Sequence, residues 1–469
     1  MHMTPIPRSN DFYTRFKPIR NQLRRYSPLS VLRGCLDYLY AATDDPIGHI
    51  RKQPWINFLL VKWAFLDEDA HKVGRPAIPS DKLIQLLQEV YDLSDLTRMP
   101  SDYEHLTLFM RAIAYQQFLY QLPRTIDGLA RQELLFAQTP DNHFFQTCFK
   151  TAHGLSIGDF LRLAICLTAH TQSKSGYIIS RHWFRNLEPR FSPVQIDAFL
   201  AAISVPVEQL PEKLRESEDD VRQALELFQQ TPFLRHPLIR VGDHYWCTHP
   251  DLTQKCLDHF IFDFLKKSDL QRFNEAFGIR FEKYVEKHLT DAGLSLTTEH
   301  QLKQALPGTG KVVDFLVHDE DANVFIDAKG VEMAPRGKVA HLRQVVRGAT
   351  NSSLMKAFEQ GQETCSRITE INPSNSIIQP RNKNYLLAVT YKELYIGNGL
   401  SLEACVGDNH LERIRQKFSK EKTIPLENIY FLSIDEFEGL MALVKARRIG
   451  LVEALELAKK IDSDPKTRK

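Results

Sequence analysis

Apolar residues recur every three to four positions through 55–66, 82–91, 106–122, 144–151, 160–170, 194–203 and 221–230. That spacing lines one face of a helix and predicts a helix in each segment. Ser156-Ile-Gly-Asp159 is close to a capping box, with Asp in place of Glu or Gln, and Ser192-Pro193 puts proline at a first helical position. Gly74-Arg-Pro76, Pro100, Pro123, Pro140, Pro206 and Pro211 break the chain between helices, and no repeat of fixed period runs through it. The expectation is an all-helical domain over 35–235. Beyond it the period changes. Residues 237–247 alternate about a Gly242-Asp243 turn and predict a hairpin, followed by an amphipathic helix over 252–267; 236–274 reads as a hinge. From 275 the pattern is mixed: helix 275–290, strand 294–302, two apolar runs at 312–317 and 324–326, helix 352–367, strand 385–390 extended by Tyr395 and Ile396, helix 410–418, strand 429–434 and helix 435–444. Strands alternating with helices predict an α/β layer domain with a central mixed sheet over 275–446. A C-terminal helix (452–460) and a polar, basic, disordered tail fill 447–469.

A chain of 469 residues accommodates two or three domains, and 43% hydrophobic with 25% charged residues is ordinary for a soluble protein. The net charge of +2 excludes a uniformly basic polyanion binder, so a nucleic-acid groove has to come from local clustering. One cluster is the segment 1–34, where Arg8, Arg15, Lys17, Arg20, Arg24, Arg25 and Arg33 oppose only Asp11 and interleave with Phe12, Tyr13, Phe16 and Tyr26. It reads either as a nucleic-acid or partner arm or as a solvated segment packed by its aromatics. The seven cysteines form no CxxC pair, as expected of reduced thiols in a cytoplasmic protein. The most apolar run, 55–66, is interrupted by Asn57 and Lys62 and is too short to span a bilayer, so no membrane association is expected. Cys148, His153, Cys166 and His170 include an i, i+4 pair of the kind zinc uses, yet small cysteines on apolar helix faces and histidines at helix ends favour a structural reading, and zinc is not expected. His244, Cys247, His249 and Cys256 alternate along a strand rather than converge.

Candidate chemistry concentrates in Lys311-Val-Val-Asp314-Phe-Leu-Val-His-Asp-Glu-Asp-Ala-Asn-Val-Phe-Ile-Asp327-Ala328-Lys329-Gly330. Two short strands flank a polar turn. The strand period of two sends Asp327 and Lys329 to one face, and Asp314 sits mid-strand between apolar neighbours. A buried carboxylate needs a partner, and a divalent cation shared with Asp327 would be one; hard oxygen ligands suit Mg²⁺ or Mn²⁺. Pro307-Gly308-Thr309-Gly310-Lys311 imitates the end of a phosphate-binding loop, but Ala305 and Val312 stand where that pattern needs Gly and Ser or Thr, and a strand follows instead of a helix.

The segment resembles the PD-(D/E)XK nuclease superfamily, with its restriction-endonuclease-like fold. Asp314 is similar to the first acidic position, preceded by Val313 rather than Pro, and Asp327 with Lys329 to the (D/E)XK element. Upstream, Gly278–Leu289 resembles the family's opening helix, with Glu282 at its acidic position; downstream, Lys356-Ala-Phe-Glu-Gln360-Gly-Gln362 resembles the helix that completes the site. The resemblance covers about 275–440. It implies a metal-dependent endonuclease acting on DNA, or on RNA including transfer RNA. Asp314, Asp327, the Ala328 carbonyl and Glu282 would be metal ligands, Lys329 would serve the transition state, and Gln360, or alternatively Gln362, would position Lys329 or the phosphate. The basic stretch Arg336-Gly-Lys338-Val-Ala-His341-Leu-Arg343-Gln-Val-Val-Arg347 would contact phosphates. A helical domain joined to such a nuclease is similar to the layout of bacterial anti-phage effectors, in which it senses a trigger or binds a protein partner; homo-oligomerisation stays open. The competing reading is a nucleic-acid-binding or assembly protein that keeps the fold without turnover.

Overall fold

The computed structural model describes residues 9–464, except 46, 68–73, 97–102, 122–124, 174–175, 217–222, 307, 341, 372–377 and 419–422. Arg8, Pro100, Pro123, Pro307, His341, the start of the predicted 221–230 helix and most of the predicted basic tail lie outside the described residues. The chain divides into two compact units, one of Met1–Pro100 with Ala112–Leu270, the other of Ser101–Arg111 with Gln271–Lys469. Among the described residues no helix is long and apolar enough to cross a membrane.

The first unit is mostly helical but not all-helical as the periodicity predicted. Strands β1 (Ile178–Ser180) and β2 (Ser204–Pro206) join the predicted hairpin, β3 (Leu238–Val241) and β4 (His244–Cys247), in one sheet of order β1-β4-β3-β2. Strands of three residues are too short to display a period, which is why the sequence hides them. The segment 236–274 is correspondingly not a hinge: its hairpin is the centre of this sheet, and its helix, Pro250–Ser268, buries Leu252, Leu257, Ile261, Phe262 and Leu265. The fully buried Gln132 reaches into that helix, donating from Nε2 to the Leu257 carbonyl (2.7 Å) and accepting from the Ile261 N–H at Oε1 (3.1 Å).

Within the basic N-terminal segment, Ser9–Leu23 is a packed helix rather than an open arm. In Ser9–Leu23, Phe12, Phe16, Ile19 and Leu23 fall on one buried stripe, and Trp63 meets the Phe16 ring edge-on at 4.7 Å. Arg24 pairs with Asp67 at 2.8 Å. Of the aromatics that interleave the cations, Phe12 and Phe16 are core residues, whereas Tyr26 is half-buried and Tyr13 exposed.

The second unit is built on five strands, β5 (Leu296–Thr298), β6 (Phe315–His318), β7 (Ala322–Lys329), β8 (Lys383–Thr390) and β9 (Ile429–Ser433), in the order β5-β6-β7-β8-β9. β5, β6 and β7 pair antiparallel; β7, β8 and β9 pair parallel, with Asp327 opposite Ala388. β7 is the central strand and is buried from Ala322 through Asp327. Such a strand, covered on both faces, reads as the continuous apolar run found in the sequence. The Leu270–Asp291 helix precedes β5 in sequence and the Leu354–Ile368 helix lies between β7 and β8, on both of which it packs. Three expectations are corrected. The 294–302 strand stops at Thr298, whose N–H donates to Gln301 Oε1 (2.9 Å) to open a helix over Glu299–Ala305. Val312 and Val313 lie outside β6, so Asp314 stands at the bend before the strand rather than within it. Tyr395 takes a left-handed φ of 48° and ends the extension of β8 that Tyr395 and Ile396 suggested.

Candidate active site

Asp327 is the sixth residue of β7, and its side chain is wholly buried. Two residues on, at the strand's end, Lys329 returns to the same face, and its Nζ stands 2.6 Å from Asp327 Oδ2. The approach is close but off the directions a hydrogen bond requires, and among the described residues neither oxygen of Asp327 accepts one. A buried carboxylate without hydrogen bonds is costly. Lys329 Nζ donates instead to Gln360 Oε1 (3.0 Å), and Gln360 Nε2 donates to the Val312 carbonyl (3.0 Å).

Asp314 meets this pair from the entry of β6. Its Oδ2 accepts the Ala328 N–H at 2.7 Å, beyond Phe315–Ile326, the last registered pair of the β6–β7 ladder. A side-chain carboxylate therefore takes the donor that a further ladder carbonyl would have used, and the strand cannot extend back through Asp314. Burial, and then the charge of Asp327, push the Asp314 carboxyl up to about 8; Lys329 and the Ala328 N–H oppose the shift, and Glu282 adds to it.

Glu282 comes from the Leu270–Asp291 helix, whose buried stripe of Phe273, Phe277, Phe281, Tyr284, Val285 and Leu289 sets its register. Glu282 lies at the edge of that stripe, half-buried. Its pKa is raised by burial first, then by Glu299, Glu286 and Asp327. The helix closes on the end of β7 because position 330 is glycine: a Cβ there would sit 2.7 Å from the Phe277 ring. Phe277 cannot retreat, being stacked between Phe273 (5.0 Å) and Phe281 (5.5 Å) and braced edge-on by Tyr391 (5.1 Å).

The structure thus brings together Asp314, Asp327, Ala328, Lys329 and Gln360, with Glu282 close enough to be felt electrostatically. Gln362 is elsewhere: its amide clasps the backbone of Ile424, Nε2 to the carbonyl (2.9 Å) and Oε1 from the N–H (2.8 Å). The expected row of phosphate contacts divides. Arg336 is exposed and Lys338 half-buried in a short helix, Pro335–Lys338. Arg347 is committed to the end of the Gly399–Val406 helix, where its Nη2 donates to the Val406 carbonyl (2.6 Å) and pairs with Asp408 (2.6 Å). Arg343 packs on Gly407, where a Cβ would approach its Cδ to 2.3 Å. These two arginines close a helix terminus, as cations near a C-terminal end do. The loop resembling a phosphate cradle is also filled from within, since the Lys311 N–H donates to Glu363 Oε1 at 3.0 Å. In the first unit the His153 ring lies 4.4 Å from Phe264 and that of His170 4.0 Å from Trp183, while Cys148 and Cys166 are half-buried.

Sequence reasoning did not single out Thr364, and it quoted Lys356 only as the first residue of the helix motif. With Gln360 they form an i, i+4, i+8 series along the Leu354–Ile368 helix, a signal available once Gln360 is placed. Thr364 is buried; Lys356 is exposed and, among the described residues, makes no ion pair.

The donor set fits a hard divalent cation. Among the described residues the two buried oxygens of Asp327 accept no hydrogen bond, and Asp314 uses Oδ2 on the Ala328 N–H. Repulsion among the carboxylates is what an added cation relieves. Among the described residues no group of three or more His, Cys, Asp and Glu side chains is arranged to hold a metal; a set of two aspartates and a main-chain carbonyl suits Mg²⁺, which keeps several waters. Compared with known proteins, the chain matches no family model, no curated protein and no solved structure.

Proposed function

We propose that the chain is a metal-dependent nuclease that hydrolyses phosphodiester bonds, with its site at the ends of β6 and β7. The observation that carries this reading is Asp327: a fully buried carboxylate with no hydrogen bond, beside Asp314 and Lys329. The resemblance to PD-(D/E)XK nucleases, and a helix, strand, strand, helix order in keeping with it, add support.

Asp314, Asp327 and the Ala328 carbonyl would hold Mg²⁺ or Mn²⁺. Such an ion supplies charge neutralisation at a phosphate oxygen and a more acidic water. The chain's own groups account for the rest. With Asp314 protonated near neutral pH in the metal-free state, Asp327 and Glu282 against one ammonium still leave the place net negative, so a cation favours entry of a phosphodiester. Lys329, as an ammonium, donates to the phosphate oxygen on which charge grows. Gln360 accepts one hydrogen bond from Lys329, leaving the ammonium a further donor for substrate. Glu282, made more basic by burial, accepts a hydrogen bond from the attacking water. DNA is the favoured substrate on the resemblance, with RNA or transfer RNA as alternatives. The mostly helical unit serves as sensor or partner-binding part of a defence effector.

The test is cleavage by the full chain of plasmid DNA, single-stranded DNA, total RNA and transfer RNA, with Mg²⁺, Mn²⁺ or EDTA, alongside Asp327→Ala and Lys329→Ala. Metal-dependent cleavage lost in both variants, by about a hundredfold or more for each, is expected. Binding of nucleic acid without cleavage, and without dependence on metal, would favour the non-catalytic reading.

A further inference from the structure

The stretch before Asp314 has an unusual support. Val312 and Val313 are 1% and 0% exposed, yet neither belongs to a strand. A buried peptide group must still satisfy its C=O and N–H. For the peptide linking Val312 to Val313 both partners are side chains of one helix. Gln360 Nε2 donates to the Val312 carbonyl (3.0 Å), and the Val313 N–H donates to Thr364 Oγ1 (3.1 Å).

The geometry makes this a clamp. In a trans peptide the C=O and N–H point in opposite directions, and residues four apart on a helix stand one turn apart on the same face. Gln360 and Thr364 therefore grip one peptide plane from its two ends. Neither side chain is free to turn. The Thr364 hydroxyl gives its own proton to the Gln360 carbonyl (2.7 Å), which leaves a lone pair for the Val313 N–H. Gln360 Oε1 receives Lys329 Nζ (3.0 Å). The clamped peptide is followed directly by Val313 and Asp314, whose carboxylate is tied to the Ala328 N–H (2.7 Å), one residue from Lys329. The contacts form a closed circuit from Asp314 through the peptide, Gln360 and Lys329 back to β7, and Thr364 holds the other end of the peptide in it.

We propose that Thr364 is a positioning residue of the cation site: by holding the Val312–Val313 peptide against Gln360 it fixes the backbone that presents Asp314 beside Asp327. The proposal rests on the reading of Asp314 and Asp327 as cation ligands. Thr364 touches neither cation nor substrate and acts through the main chain, as outer supports of metal ligands do.

The experiment uses the full chain and two readouts that do not need turnover, Mn²⁺ affinity by calorimetry and hydrogen exchange of the Val313 amide. Thr364→Val keeps the shape and removes the acceptor; Thr364→Ser keeps the acceptor; Thr364→Ala stands in if the valine variant does not fold. Asp327→Asn is the control. The expectation is that Thr364→Val, or Thr364→Ala, weakens Mn²⁺ binding by about tenfold and speeds exchange at Val313, while Thr364→Ser restores both. Wild-type Mn²⁺ affinity in the valine or alanine variant, with binding abolished in Asp327→Asn, would overturn the proposal and leave the cation site standing. Undiminished binding in Asp327→Asn would remove the cation site itself, and the role of Thr364 with it.

Discussion

Asp314 and Asp327 are an arrangement that folding alone disfavours. An ordinary aspartate ionises near 3.9; burial and the neighbouring Asp327 push Asp314 up to about 8. Because the folded value lies above the unfolded one, the group's contribution is intact below about pH 4 and is lost as pH rises towards about 8. Metal-free protein should therefore lose stability across that window. In urea denaturation with EDTA, wild type should lose on the order of a few kcal/mol more than Asp314→Asn between pH 5 and pH 8; parallel behaviour of the two would contradict the assignment. Lys356 makes a separate point at this scale. It is exposed one turn before Gln360 on the same helix, where on the proposed reading it would meet a substrate phosphate without touching the cation ligands. Lys356→Ala should raise KM about tenfold or less, leave kcat within about twofold, and flatten the salt dependence of binding. A fall in kcat at unchanged KM would contradict that placement.

At the level of elements, the central claim depends on how tightly the Leu270–Asp291 helix closes on the end of β7. Gly330→Ala would drive a methyl into the braced Phe277 ring, so a loss of about 1–3 kcal/mol in thermal or urea unfolding is expected; an unchanged stability would mean the helix can retreat. Gln132 is the corresponding support in the first unit. Its amide lies across the ladder position where the Ile261 N–H would reach the Leu257 carbonyl, a side-chain insertion that helices tolerate only when both freed groups are satisfied. What the sequence disclosed follows from this kind of detail. The run 324–326 and the period-two spacing of Asp327 and Lys329 are properties of a strand buried on both faces, and they can be read from the letters. The place of Asp314 could not be, because the strand boundary is set by a tertiary contact: its own carboxylate takes the Ala328 N–H. The choice between Gln360 and Gln362 was equally hidden, since two residues on a helix differ by more than half a turn and only packing fixes which one faces β7. Arg343 and Arg347 looked like phosphate contacts because the helix they close, Gly399–Val406, has no strong periodic signature to announce it.

For the whole molecule, the near-neutral balance of +2 would not draw in nucleic acid by overall charge; on the proposed reading a cation at the site would have to do that locally. The second unit is also discontinuous in sequence. Residues 101–111 belong to it: Leu108 packs in a buried cluster with Ala340, Val346 and Cys405, and Arg111 Nε donates to the Leu394 carbonyl at 3.2 Å. A fragment of 271–469 alone should be destabilised by about 2–4 kcal/mol, from the exposed cluster and the lost hydrogen bond, and a peptide of 101–111 added in trans should raise its melting temperature; no response to the peptide would contradict the division. The most direct measurement on the account as a whole is calorimetric titration of Mn²⁺ into the metal-free full chain, wild type and Asp327→Asn, at pH 8. If the two aspartates form a cation site, wild type binds Mn²⁺ and Asp327→Asn does not. If Asp327 exists only to pair with Lys329, neither protein binds the metal, and the nuclease reading falls with the site.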